Sequence, residues 1–120
     1  MSKSQRDKGK RAEREVAEIL RGQGFNARRG VQYHGGPDSP DVVGVPGIHL
    51  EVCHAAVMRL PDKLRQAVSD AAPGEVPAVV HKVNRGEWCV TIRLCDAPAF
   101  AQWYNTGTSR PAVPISEMLP

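Results

Sequence analysis

The stretch PDVVGVPGIHLEVC, residues 40–53, decides how the chain folds. Val45-Pro46-Gly47 is a turn signal between two β-rich runs, residues 41–44 and 48–54. With the hairpin centred on Pro46, Gly44 faces Ile48 and Asp41 faces Glu51. Opposed residues on antiparallel strands point to the same side, with Cβ atoms about 4.5–5.5 Å apart. Alternation puts Ile48, Leu50 and Val52 on one face and His49, Glu51 and Cys53 on the other. The apolar set belongs to the core, so the acidic pair is expected to project from the opposite face. Two like charges directly opposed destabilise a hairpin. A hard divalent cation neutralises them through carboxylate oxygens. Mg²⁺ held this way keeps several waters, one of which can attack a phosphodiester while the ion offsets the developing charge. Two solvated acids on an exposed hairpin satisfy the same spacing, so the residues alone leave both readings open.

Working outward, residues 4–21 read as a helix with Ala12, Val16, Ile19 and Leu20 on one face. Ser4 with Asp7 resembles a capping pair, and Gly22 and Gly24 end the helix. Residues 25–29 form a short strand or extended segment, and residues 30–40, with three glycines and two prolines, form a loop. Residues 61–71 read as a second helix with an apolar stripe of Leu64, Ala67, Val68 and Ala71, stopped by Pro73-Gly74. Residues 76–83 and 87–94 are two strands joined by Asn84-Arg85-Gly86, with Trp88, Val90, Ile92 and Leu94 inward. Asp96 caps a short helix to about Tyr104, docked by Phe100 and Trp103. The order predicts an α/β domain over residues 1–105: a mixed sheet of about five strands flanked by helices. Residues 106–120, with three prolines and little periodicity, are expected to be a flexible tail.

Composition narrows the function classes. At 120 residues the chain holds one domain, and no apolar run reaches the roughly 20 residues of a membrane span. No apolar segment follows the basic start MSKSQRDKGKR, so a cytoplasmic protein is expected. Three cysteines without CxxC spacing argue against a disulfide framework or a structural zinc site. The net charge is +3, but residues 1–29 alone carry nine basic and four acidic side chains. A basic end of this kind suits phosphate, or simply a soluble helix face.

The stretch Pro40-Asp41…Glu51 resembles the PD-(D/E)XK nuclease signature. Upstream, Gly9-Lys10-Arg11-Ala12-Glu13-Arg14 is similar to the first-helix motif of archaeal and phage-type Holliday junction resolvases. Gly24-Phe25 and Arg28-Arg29 match the glycine-phenylalanine and arginine-bearing strand that follow it there. The resemblance implies a restriction-endonuclease-like core and a Mg²⁺- or Mn²⁺-dependent endonuclease acting on branched DNA such as a four-way junction. It implies that Asp41, Glu51 and the backbone carbonyl of Val52 hold the ion and that Glu13 reaches the same site. Lys8, Lys10, Arg11, Arg28, Arg29 and Gln32 become the expected DNA contacts. Gln66 matches a glutamine often found near the site, and the loop bearing Gln32, Tyr33 and His34 corresponds to one that contacts the DNA backbone. Paired incisions by a chain with one acidic pocket imply a symmetric homodimer.

One position departs from the pattern. The family's lysine belongs two residues after Glu51, where this chain has Cys53. A lysine there positions the attacking water and balances charge; a thiol, with a free pKa of about 8.5, does neither well. Either Lys63 or Lys82 supplies the missing ammonium, or the chain is a nuclease-fold protein that binds DNA without cutting it. A nuclease acting on linear DNA is a further reading with the same site. His49 and His54 flank Glu51, and only His49 shares its face.

Overall fold

The computed structural model describes residues 3–30, 40–53, 59–82 and 86–107. The element order is α1 (Lys3–Gly22), β1 (Arg28–Arg29), β2 (Val42–Val43), β3 (Ile48–Cys53), α2 (Leu60–Asp70), β4 (Val76–Lys82), β5 (Trp88–Ile92), a 3₁₀ turn (Leu94–Asp96) and α3 (Ala97–Gly107). The five strands form one mixed sheet in the order β1-β2-β3-β4-β5. Only β3 and β4 are parallel, with α2 as their crossover; the remaining pairs are antiparallel. The α/β class, the element order and the hairpin register follow the sequence reading, with Val42 paired to Leu50.

The hairpin turn depends on two glycines. Gly44 has φ +101°, and a Cβ there would lie 2.0 Å from the carbonyl oxygen of Asn26. Gly47 has φ +80°, and a Cβ there would strike the Trp103 ring. Both positions therefore exclude a side chain on conformational and steric grounds. The turn closes through the Ile48 amide, which donates to the Val45 carbonyl at 3.2 Å.

The sheet is covered on both faces. On one, Ala12, Val16, Ala17 and Leu20 of α1 pack with Val42, Ile48, Leu50, Val52, Ala78 and Val80, and Phe100 and Tyr104 of α3 close the edge. Burying an aliphatic side chain of this size contributes about 1.5–3 kcal/mol. On the other face, Ala67, Leu60 and Leu64 of α2 pack on Cys53 and Val79. As a result all six residues of β3 are buried.

Several expectations are corrected. The face carrying Glu51 does not project into solvent, because α2 lies over it. The α2 stripe is rotated: Lys63 and Ala67 are buried, whereas Val68 is 37% exposed. On α1, Ala17 takes the buried place expected of Ile19, which is 40% exposed. On the last strand Val90 is exposed, and Leu94 is 89% exposed because β5 ends at Ile92 and the chain turns. Trp103 is half-exposed over Gly47, and Tyr104 takes the docking role, edge-on to Phe25 at 4.8 Å between ring centroids. Asp96 accepts from Arg93 Nε at 2.8 Å. Helix α3 runs through Thr106 and Gly107, two residues beyond the expected start of the tail. The loop bearing Gln32, Tyr33 and His34, the His54 position, the tip of the β4–β5 hairpin and residues 108–120 lie outside the described residues. Among the described residues no helix is long and apolar enough to cross a membrane.

Candidate active site

Asp41 stands immediately before β2 and is 8% exposed. Its backbone amide donates to the Leu50 carbonyl at 2.9 Å, and its carboxylate Oδ2 accepts from the Val52 amide at 2.8 Å. Both bonds tie the carboxylate to β3, so its position is fixed by hairpin register rather than by a loop.

Glu51 is 1% exposed beneath α2. Its Oε1 lies 2.8 Å from Nε2 of His49, while its Oε2 is buried and without a hydrogen-bond partner. Lys63, one turn into α2, reaches down between the two acids. Its Nζ is 3.5 Å from Asp41 Oδ2 and 3.6 Å from Glu51 Oε2. The ammonium thus balances both carboxylates at ion-pair distance. Leaving a buried carboxylate oxygen without a hydrogen bond is costly, and it gives this pocket spare capacity for a hard cation.

Glu13 approaches from α1. Its Oε1 accepts from Arg29 Nε on β1 at 3.0 Å. Burial is the main force holding its carboxyl above the ordinary range; Asp41 adds to that, while Arg29 and Lys63 oppose it. Burial likewise pushes Glu51 up, reinforced by Asp41 and opposed by His49 and Lys63. For His49 burial pulls the other way, but the bond to Glu51 and the charges of Glu51, Glu75 and Asp70 outweigh it and raise its pKa. Glu13 from α1 and Glu51 from β3 therefore both feel Asp41, which raises their pKa values, and Lys63, which opposes the rise.

The remaining expected site residues divide clearly. Cys53 is buried in the apolar cluster under α2 with Ala67 and Val79, and burial pushes its thiol up. A neutral thiol there acts as a small apolar group. Lys82 is drawn away: its Nζ pairs with Glu15 at 3.3 Å and sits over the Trp88 ring. Gln66 is half-buried on α2. Lys8, Lys10, Arg11 and Arg28 are exposed. Gln32 lies outside the described residues, and Val52 contributes its amide to Asp41.

Two participants were not anticipated. Asp70, at the end of α2, offers a carboxylate oxygen within 4.8 Å of ligand atoms of His49 and Glu51, and its Oδ2 is buried without a hydrogen-bond partner. Glu75 Oε1 lies 3.9 Å from His49 Nδ1. Asp70 falls seven residues after Lys63, two helical turns along the same face. That spacing was a usable signal, hidden by placing the stripe on Leu64 and Val68.

A mixed five-stranded sheet with α1 and α3 on one face, α2 on the other, and acids from the first helix and the central hairpin is consistent with a restriction-endonuclease-like fold. Consistent with this, the family model described as archaeal Holliday junction resolvase (Hjc) matches residues 4–61, which span α1 through the β2–β3 hairpin. That family lies within the PD-(D/E)XK nuclease superfamily. Neither a curated protein nor a solved structure matches it significantly.

Proposed function

We propose that the chain is a metal-dependent endonuclease that resolves branched DNA, with Lys63 of α2 acting in place of the lysine that Cys53 displaces. The single observation that supports this most is the Lys63 ammonium lying between Asp41 and Glu51. Asp41 and Glu51, with the Val52 carbonyl and with Glu13 nearby, would hold Mg²⁺ or Mn²⁺; the buried, unpartnered Oε2 of Glu51 suits such an ion. When bound, the ion supplies a more acidic water and neutralises charge on the scissile phosphate. Lys63 would orient the attacking water and offset negative charge developing on the scissile phosphate. Arg29 keeps Glu13 pointed at the pocket. Lys8, Lys10, Arg11 and Arg28 contact phosphates, so recognition rests on the shape and backbone of the junction rather than on base edges. Two copies of the chain cut the two opposed strands.

The second reading, a DNA-binding protein that has lost cleavage, draws on Cys53. A labelled four-way junction with Mg²⁺ or Mn²⁺ separates the two. The nuclease reading expects paired symmetric nicks that disappear in Asp41→Asn and do not increase in Cys53→Lys, which forces a second ammonium into an apolar cluster beside Lys63. Binding without nicks, with nicking gained in Cys53→Lys, establishes the disabled site instead. Equal cutting of linear duplex moves the substrate away from junctions.

A further inference from the structure

Glu51 is the pivot of the candidate site, and its two oxygens have different surroundings. Oε2 faces Lys63 and, through it, Asp41; Oε1 is held by His49 Nε2 at 2.8 Å. His49 is 1% exposed and has no freedom to turn away. It precedes Glu51 by two residues on β3, so both side chains lie on the face covered by α2. Behind it stand two further carboxylates: Glu75 Oε1 at 3.9 Å from Nδ1, and Asp70, whose ligand atom is within 4.8 Å of both His49 and Glu51. The chain Asp70/Glu75–His49–Glu51 runs from the end of α2 and the entry to β4 into the pocket.

We infer that His49 is a positioning residue: buried beside the carboxylates of Asp70 and Glu75, it clamps Oε1 of Glu51 and thereby presents Oε2 to the cation. This rests on the proposed role of Glu51 as a metal-holding residue. The physical reason is rotational. A glutamate on a strand has three side-chain torsions, and a carboxylate with both oxygens equivalent can swing either toward an incoming ion. Fixing one oxygen with a buried donor removes that disorder before the ion arrives. It also leaves a lone pair unshared where the charge is needed. Outer partners of metal-holding groups commonly govern affinity by about 10–100-fold.

The test is Mn²⁺ binding to the full chain, followed by titration calorimetry and by the electron paramagnetic resonance of free Mn²⁺, with circular dichroism reporting the fold. His49→Leu fills the space without a donor and is expected to weaken Mn²⁺ binding about 10–100-fold. His49→Gln, whose amide nitrogen falls near the place of Nε2, is expected to recover most of that loss. A purely structural role gives no such recovery in affinity at equal helicity and melting temperature. If His49→Leu does not fold, Asp70→Asn, at the partly exposed end of the relay, carries the test, with a several-fold weakening expected. Unchanged affinity in a folded His49→Leu, or equal affinity in His49→Leu and His49→Gln, overturns the inference. So does the loss of one of two bound ions on changing His49, which makes the imidazole a ligand in its own right. Asp41→Asn is the control for the underlying site: if it leaves Mn²⁺ binding intact, the metal reading of Asp41 and Glu51 fails, and that failure is distinct from any result at His49.

Discussion

The two faces of β3 are built on opposite principles, although adjacent residues of one strand supply them. Toward α1 and α3, Ile48, Leu50 and Val52 enter an apolar core with Val16, Leu20 and Val42. Toward α2, His49 and Glu51 enter an equally buried space shared with Lys63 and Asp70, and only Cys53 meets apolar neighbours. Burial is the same; the energetics are not. The first face gains stability from every side chain it covers. The second carries ionised groups whose desolvation is offset only in part by pairing, and one Glu51 oxygen lacks a hydrogen bond altogether. Perturbed buried acids of this kind cluster at functional sites, which is why this face is the candidate site. The contrast can be attacked from either side.

The largest effect is expected on the polar face. Lys63→Met keeps the length of the side chain and its packing under α2 but removes the ammonium between Asp41 and Glu51. Nicking of a four-way junction is expected to fall on the order of 10²–10³-fold, the scale of losing one charge-stabilising group. Mn²⁺ binding should survive or tighten, because the ion no longer competes with a cation at the same carboxylates. Retained nicking in Lys63→Met removes this lysine from the mechanism and returns the question to Cys53. On the apolar face, Leu50→Ala, the immediate neighbour of Glu51, should do the reverse. Truncating a buried leucine costs about 2–5 kcal/mol of stability, read as a lower urea midpoint, while the Mn²⁺ affinity of the folded fraction stays near that of the parent chain. If Leu50→Ala instead abolishes metal binding in a folded protein, the two faces are not separable.

The apolar face was the legible one. Hairpin register and the inward set Ile48, Leu50 and Val52 follow from period-two alternation about Pro46, and the structure keeps that register at Val42 and Leu50. The polar face was legible only as far as the hairpin itself reached. Asp41 and Glu51 could be paired on paper, but their burial could not, since it arises from α2 crossing over a strand that the local sequence presents as half-exposed. The same crossover explains Lys63. A helix stripe read from hydrophobicity alone selects Leu64, Ala67, Val68 and Ala71 and passes over Lys63, which entered only as one of two candidates for the displaced lysine. In the fold the helix faces the sheet with Lys63 and Ala67 buried and leaves Val68 outside, and the Lys63 ammonium meets Asp41 and Glu51 there. Misplaced apolar residues elsewhere have simpler causes: Leu94 lies past the end of β5, in a turn where alternation no longer applies. Asp70 was missed because the stripe was placed on Leu64 and Val68 and not on the Lys63 face, and Glu75 because its partner, His49, is not predictable as a buried donor without knowing what covers it.

A smaller effect, but one that reports the polar face alone, is its response to pH. Glu13 and Glu51 have pKa values raised above 4.5, and His49 has one raised above 6.5. Each of these groups binds its proton more tightly in the folded chain than in the unfolded one. By linkage their contribution to stability is therefore complete below the unfolded values, and it declines as pH rises through the folded ones. In EDTA the melting temperature is expected to fall with rising pH in two stages, first above pH 4.5 as the acids ionise and then above pH 6.5 as His49 loses its proton. A tenfold difference in proton affinity between the folded and unfolded chain corresponds to about 1.4 kcal/mol. A divalent cation prefers the ionised carboxylates, so the stabilisation given by a fixed Mn²⁺ concentration should grow over the same range. Leu50→Ala should lower both curves in parallel, since the apolar face has nothing to titrate, whereas Glu51→Gln should flatten the EDTA curve and remove most of the gap between the two. An EDTA curve that rises through this range, or a gap that stays constant with pH, would mean that the buried acids are neutralised by groups of the chain itself and do not draw in a metal ion.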